Sequence, residues 1–353
     1  MKAFVLKEPG IVGWHDAKEP ILTEYGAILK PVAMTPCSSD VHTVYRGSKK
    51  EPNLILGHEC IAKIIEVGSA VKDFSAGEVV AVPAITPDWR ALGIQDCNFG
   101  HASAPFSGHQ LGRTFPGVFA EKFSVPDADT TLAKIPAGVS LKQALMSVDV
   151  MTTGFTAAEN ANIKFGDTVV VMGIGAIGLM AIAAAKMLGA AEIIAVGSKK
   201  KNTELAYHFG ADTVLDYHSC DIVSEVMLRT NKFGADSVII CGGDDNTFRQ
   251  AFDMVKYGVG VVSNVNYFGG TGDLPFPKFS GGRGMAGKTL HTSLAKGGRV
   301  RIERMLKLVQ HGRIDPGSLV THELSGFNSI EDAFYMMRDK QDGLIKVMVL
   351  DKD

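Results

Sequence analysis

The chain runs to 353 residues, room for two domains of about 150 residues each, and 46% hydrophobic with 21% charged residues excludes a disordered or fibrous protein. Its 36 basic and 38 acidic residues net to -2, so the basic surplus of a protein that grips nucleic-acid phosphates is missing. Five cysteines, at 37, 60, 97, 220 and 241, are odd in number, widely spaced and without a C-x-x-C pair, which points to reduced thiols in a cytoplasmic protein.

The opening MKAFVLKEPG has no long apolar core behind its lysine and does not read as a signal peptide. Over the first 150 residues, AILKPVAMTP, CIAKIIEVG, EVVAVPAIT and FAEKFSV are short apolar or alternating runs between turn signals, which predicts a β-rich domain. Residues 91–117 carry little periodicity and read as a long surface excursion or lid. From about 151 the texture changes. Strand-like TVVVMG, EIIAVGS, TVLDY, SVIICGG and VGVVSNVNY alternate with helix-like GLMAIAAAKMLGA, KNTELAYHFGA, DIVSEVMLRTNKFGA and NTFRQAFDMVK, the pattern of an α/β, doubly wound parallel sheet over 151–295. Thr168 to Ala185 is uncharged for 18 residues, but three glycines cut it, so a buried strand and helix are expected in place of a membrane span. The end predicts helices near 299–312 and 329–340 and a last strand at LIKVMVL.

Gly173-Ile174-Gly175-Ala176-Ile177-Gly178 follows a strand and opens a helix. In that context the first glycine permits the tight turn, the second lets backbone approach a pyrophosphate, and the third lets helix and strand pack closely. The next strand ends in Gly197-Ser198-Lys199-Lys200-Lys201, where a cofactor without a 2′-phosphate would meet a carboxylate. None stands there, and a hydroxyl with lysines suits a phosphate, so NADP(H) is expected. Lys200 and Lys201 serve equally well as solvated residues of a helix start.

Cys37, His58 and Asp149 are distant in sequence. Cys37 precedes helix N-terminal residues, His58-Glu59 emerges from the apolar NLIL stretch, and Asp149 is a lone carboxylate in the otherwise uncharged SVDVMTTGF. Thiolate, imidazole and carboxylate are zinc donors, and three of them leave a fourth position open. From the residues alone, a zinc site and a set of ordinary core side chains both stay open.

PCSSDVHTV, LGHE, VDVMTTGF, GIGAIG and AVGSKKK together resemble the zinc-containing medium-chain alcohol dehydrogenases, in particular the NADP-dependent tetrameric secondary-alcohol dehydrogenases of anaerobic bacteria and some protists. The likeness runs along nearly the whole chain, through TPDWRAL to DGLIKVMVL. It implies a GroES-like β-rich catalytic domain (1–150 and 296–353) beside a Rossmann domain (151–295). It also implies Cys37, His58 and Asp149 as ligands of one catalytic Zn²⁺, with Glu59 able to occupy the fourth position. Ser39 and His42 match a proton relay. Gly197, Ser198, Lys199 and Tyr217 match the 2′-phosphate pocket, and Asn266 and Lys340 match further cofactor contacts. Relatives usually carry arginine where Lys199 stands. A structural zinc is not expected, because residues 90–115 hold only Cys97. Ser107-Gly108-His109-Gln110 falls where relatives have a pocket tryptophan, with His109 facing either pocket or solvent. Trp89 reads as packing at the pocket edge, Asp40 as structural, and Met285 as reaching a neighbouring subunit of a homotetramer.

The reaction so implied moves hydride between NADP(H) and a small-molecule secondary alcohol or ketone, aldehydes included, with zinc as Lewis acid and no membrane partner. Ser39 would bond the reacting oxygen and His42 would pass the proton to solvent. The alternatives are a polyol dehydrogenase of the same family, a zinc-free NADPH-dependent quinone or enoyl reductase, and a non-catalytic dinucleotide-binding protein.

Overall fold

A computed structural model describes residues 1–45, 52–97, 107–269 and 272–351, which divide into two compact units, Met1–Thr152 with Lys296–Asp353, and Thr153–Ala295. The first unit is built on a seven-stranded sheet. Strands Val320–Ser325, Lys346–Leu350, Ala27–Thr35, Glu59–Val67, Val79–Val82 and Ala133–Lys134 follow one another in that order, and Phe123–Val125 also pairs with Ala27–Thr35. Ala27–Thr35 alternates buried and half-buried residues before ending in a run of buried ones, as a strand does that covers a core with one face. Pro31, which cannot donate to the ladder, sits at a register shift between Pro31 and Ala33. Phe4, Leu29, Met34, Leu56, Phe119, Phe123 and Phe334 fill the core beneath, and a small sheet of Ile11–Asp16, Lys2–Glu8 and Leu54–Ile55 lies in the same unit.

The second unit is a six-stranded parallel sheet in the order Thr213–Leu215, Glu192–Val196, Thr168–Met172, Ser237–Ile240, Val261–Asn264, Thr289–Thr292. In chain order that is 3-2-1-4-5-6, the doubly wound arrangement whose direction reverses beside the first strand. The uncharged run is a strand, Thr168–Met172, and a helix, Ala176–Leu188, that stops at Gly189 in the left-handed conformation. No helix among the described residues is long and apolar enough to cross a membrane.

One expectation needs correction, and one strand carries no sequence signal. The stretch 91–117 is not simply a surface excursion: Leu92–Cys97 is helical, Leu111 is buried, and a Cβ on Gly117 would stand 2.2 Å from the Leu56 carbonyl oxygen. Its middle, 98–106, and the Cys97 side chain lie outside the described residues. Thr289–Thr292 was not read as a strand because all four of its residues are exposed, so no apolar alternation marks it.

Candidate active site

Cys37 follows strand Ala27–Thr35 and caps helix Ser38–Tyr45, its carbonyl accepting from the Asp40 N–H at 3.1 Å. Asp40, the third helical residue, reaches back to accept from the Cys37 N–H at 2.8 Å, a reciprocal bond that fixes the entry of the chain. Because Thr35 pairs with Glu59 in the antiparallel ladder, the residues just beyond Thr35 meet those just before Glu59. Cys37 therefore comes beside His58. Asp149 arrives on a π-helical turn, Ser147–Met151, between helices Leu141–Met146 and Thr152–Asn160. Ala84 N–H donates to the Val148 carbonyl at 3.2 Å and ties that turn to the loop after strand Val79–Val82.

One ligand atom from each of Cys37, His58, Glu59 and Asp149 lies within 4.8 Å of all the others. Cys37 Sγ is 3.9 Å and His58 Nε2 3.7 Å from Asp149 Oδ2. Bonds of about 2.0–2.3 Å around a tetrahedral zinc put its donors roughly 3.5 Å apart, so these spacings suit one ion. His58 Nδ1 is engaged by Asp40 Oδ1 at 3.3 Å, and the same oxygen accepts from the Gly57 N–H at 3.2 Å. That leaves Nε2 as the ligating nitrogen, oriented from behind by a carboxylate.

The electrostatics favour a cation. Burial disfavours a charged His58, yet Asp40 and Asp149 outweigh it and hold the ring well above the ordinary imidazole range. Ligation needs the neutral ring, so an incoming metal displaces that proton. Glu59 is fully buried, and burial pushes it up to about 7 although Lys346 Nζ donates to Oε1 at 2.7 Å. Lys346 loses hydration by burial and is held charged by Glu59; it also donates to the Pro36 carbonyl at 3.2 Å. Glu59 Oε2 is buried with no partner, an orphaned acceptor beside the three other donors. Sulfur, nitrogen and oxygen donors with one unsatisfied oxygen fit a zinc ion.

Ser39 is the second residue of its helix, not the cap, and its Oγ lies 3.3 Å from His58 Nε2. His42, half-buried, follows three residues later, the spacing of neighbours on one helix face. His109 does not face solvent: its ring packs edge-on against His58, centroids 4.5 Å apart. Burial, reinforced by His58, lowers its pKa to about 3, so the ring is neutral. Trp89 packs on Gly298, where a Cβ would stand 2.5 Å from the indole.

In the second unit Gly173 has φ +87 and Gly178 leaves no space, since a Cβ there would stand 1.9 Å from the Gly173 carbonyl oxygen. Gly175 caps helix Ala176–Leu188 without a side-chain bond, and no atom lies within 4 Å of where its Cβ would be. Amides of the first turn and an open approach are what a pyrophosphate needs. The turn is braced by Asn202 Nδ2, which donates to the Ile174 carbonyl at 2.7 Å. Ser198 Oγ donates to the Tyr217 hydroxyl at 3.2 Å, and exposed Lys199 caps helix Lys200–Phe209. Gly197 is buried, and the room left by its missing side chain is taken by Ile174, 2.2 Å from a Cβ built there. Asn266 follows strand Val261–Asn264, its side-chain nitrogen buried without a partner. Lys340 is in the first unit, capping helix Ile330–Asp339 at φ +49.

Sequence reasoning missed how Asp40, Lys346 and Asn202 support the site. Lys346 had a signal: it is the one charge inside LIKVMVL, and a buried lysine requires a partner. Asp40 had another, a carboxylate three residues past a helix cap.

Residues 176–310 match the zinc-binding dehydrogenase family and residues 24–137 the alcohol dehydrogenase GroES-like domain. The NADP-dependent isopropanol dehydrogenase of Thermoanaerobacter brockii is 45% identical over 99% of both chains. That of Entamoeba histolytica is 41% identical over 99% of this chain and 95% of its own. Among solved structures, alcohol dehydrogenase TADH from Thermus sp. ATN1 superposes with a TM-score of 0.85 at 26% identity over all of both chains. With a converging set of metal donors in one unit and a glycine turn on a 3-2-1-4-5-6 sheet in the other, the chain belongs to the zinc-binding alcohol dehydrogenase family.

Proposed function

We propose that the protein transfers hydride between NADP(H) and a secondary alcohol or ketone, aldehydes included, with one zinc ion held by Cys37, His58 and Asp149 and no structural zinc. The observation that carries this is the convergence of four donors within 4.8 Å, backed by relatives named as NADP-dependent isopropanol dehydrogenases. Zinc, when bound, supplies Lewis acidity toward the substrate oxygen and the nicotinamide supplies or accepts the hydride. Asp40 holds His58 with Nε2 inward. Glu59, tethered by Lys346, keeps its second oxygen available for the fourth position. The Ser39 hydroxyl, beside His58 Nε2, holds the proton of the reacting oxygen, and His42 exchanges it with solvent. Lys199 and the Ser198–Tyr217 pair grip the 2′-phosphate, the glycine turn from Gly173 to Gly178 takes the pyrophosphate through the Ala176 and Ile177 amides, and Asn266 and Lys340 complete the cofactor contacts. A quinone or enoyl reductase would leave the four donors without a task.

The same reading makes the protein a cytoplasmic homotetramer. Its support is the free cysteines among the described residues, the exposed edge strand Thr289–Thr292 and the outward-facing Phe279 and Met285. The test is metal analysis and NADPH-driven reduction of butanone on one sample, repeated with Asp149→Ala. Zinc and turnover should vanish together; full zinc content in the variant refutes the ligand assignment.

A further inference from the structure

His109, which packs on the ligand His58, and the loop bonded to its segment carry polar atoms that the reaction as described does not use. His109 Nε2 is buried and without a hydrogen-bond partner, although its ring packs against His58, whose Nε2 faces Asp149. Thr86 Oγ1 is also buried and unpartnered, and its backbone N–H donates to the Gly108 carbonyl at 2.7 Å, next to His109 in the chain. Trp89 Nε1, on the same loop, is a third such atom. The loop is fixed at its other end by Ala84 bonding Val148, next to Asp149. Two segments, one in ring contact with the ligand His58 and the other bonded to the turn that carries Asp149, thus hold three buried polar atoms without a partner. Buried groups of this kind ordinarily have partners, and an orphan calls for one from outside the chain, a water or a ligand group.

We propose that His109, with Thr86 beside it, forms a polar subsite for a second oxygen on the carbon next to the reacting one, so that the preferred substrates are α-hydroxy ketones and the corresponding vicinal diols. This rests on the reading of the site as an NADP(H)-dependent ketone reductase and specifies its substrate class. In the reductive direction NADPH delivers hydride to the carbonyl carbon and solvent delivers one proton to its oxygen. The products are NADP⁺ and the vicinal diol. The neighbouring hydroxyl is unchanged throughout; it only fills the hydrogen bond that His109 Nε2 lacks. A simple ketone binds with that nitrogen still orphaned, which lowers its specificity constant by a factor of about ten.

The experiment compares kcat/KM for acetoin and butanone with NADPH in the zinc-loaded enzyme, in wild type, His109→Leu and His109→Asn. An acetoin-to-butanone ratio near ten, falling to within about threefold of one in His109→Leu and partly kept in His109→Asn, is the expected result. A wild-type ratio within threefold of one, or a high ratio that survives His109→Leu, overturns the subsite. Calorimetric binding of lactamide and propionamide, non-reducible analogues differing by one hydroxyl, to the wild-type enzyme with NADPH gives a readout independent of turnover and of variant folding. Equal affinity for the two amides also overturns the proposal. Failure to reduce either ketone sinks the parent reading instead, and the amide comparison still reports on the subsite alone.

Discussion

Replacing Lys346 with methionine tests how the metal-donor set is held together. The ammonium and the Glu59 carboxylate lie 2.7 Å apart, with side chains 3% and 0% exposed, so water cannot take the place of either. Methionine keeps most of the volume and the packing of strand Lys346–Leu350 and removes only the charge. Breaking a buried pair at one end costs up to about 3–5 kcal/mol, the full figure only while the carboxylate left behind stays charged. Glu59, already raised to about 7, escapes part of that cost by taking up a proton at neutrality, so unfolding is measured well above pH 7. The Pro36 carbonyl, one residue before Cys37, loses its donor as well. For a unit of this size the loss corresponds to a fall in Tm of roughly 10 °C. Urea unfolding of the wild type, Lys346→Met, Glu59→Gln and the double variant gives a cycle in which the coupling should be at least about 1.5 kcal/mol, since the double variant removes both charges together. A cost below about 1 kcal/mol for Lys346→Met well above pH 7, or additive single effects there, refutes the claim that Lys346 holds Glu59 by charge.

Asp40→Asn should weaken zinc binding about 10–100-fold in competition with a chromophoric chelator, because the carboxylate behind His58 Nδ1 is lost; unchanged affinity means Asp40 does not orient the ligand. Gly178→Ala should cost more than about 2 kcal/mol in urea unfolding and weaken NADPH binding in a fluorescence titration, since the added methyl has no room beside the Gly173 carbonyl. A variant as stable as its parent would contradict that close approach. Lys199→Glu should lower the NADPH-to-NADH ratio of kcat/KM by at least about tenfold, through repulsion of the 2′-phosphate. Lys199 is exposed, so this substitution avoids the Ile174 collision that Gly197→Asp would meet, and an unaltered ratio removes Lys199 from the pocket.

What could be read from the sequence was what local chemistry dictates. The glycine turn was legible because a left-handed φ at Gly173 and close packing at Gly178 are demands that only glycine meets. The parallel strands were legible as continuous apolar runs, which double-sided burial requires. Asp149 was legible as a charge with no nearby neighbour of opposite sign. The pairing of Lys346 with Glu59, 287 residues apart, was not, because only the sheet order brings their strands into one sheet. The fate of 107–117 was hidden for a similar reason: Gly112 and Gly117 lie against the Leu56–Gly57 backbone, and no periodicity of the segment's own announces that Leu111 is buried. The packing at Gly197 was not legible, because sequence shows that a glycine has no side chain without showing that Ile174 occupies the space.

The wide turn at Ser147–Met151 makes the centre unusually intolerant of length changes. A π-helical turn amounts to one residue more than ordinary winding accommodates. Deleting any residue between Leu141 and Asp149 would let the segment relax into a regular helix, a locally comfortable outcome, and would swing Asp149 by about 100° around the axis. Such a shortened protein could keep its cap at Ser140 and much of its helicity while pointing the carboxylate away from Cys37 and His58. Aspartate's identity is thus only half of what the ligand requires; the other half is a miscount in the backbone that points it inward.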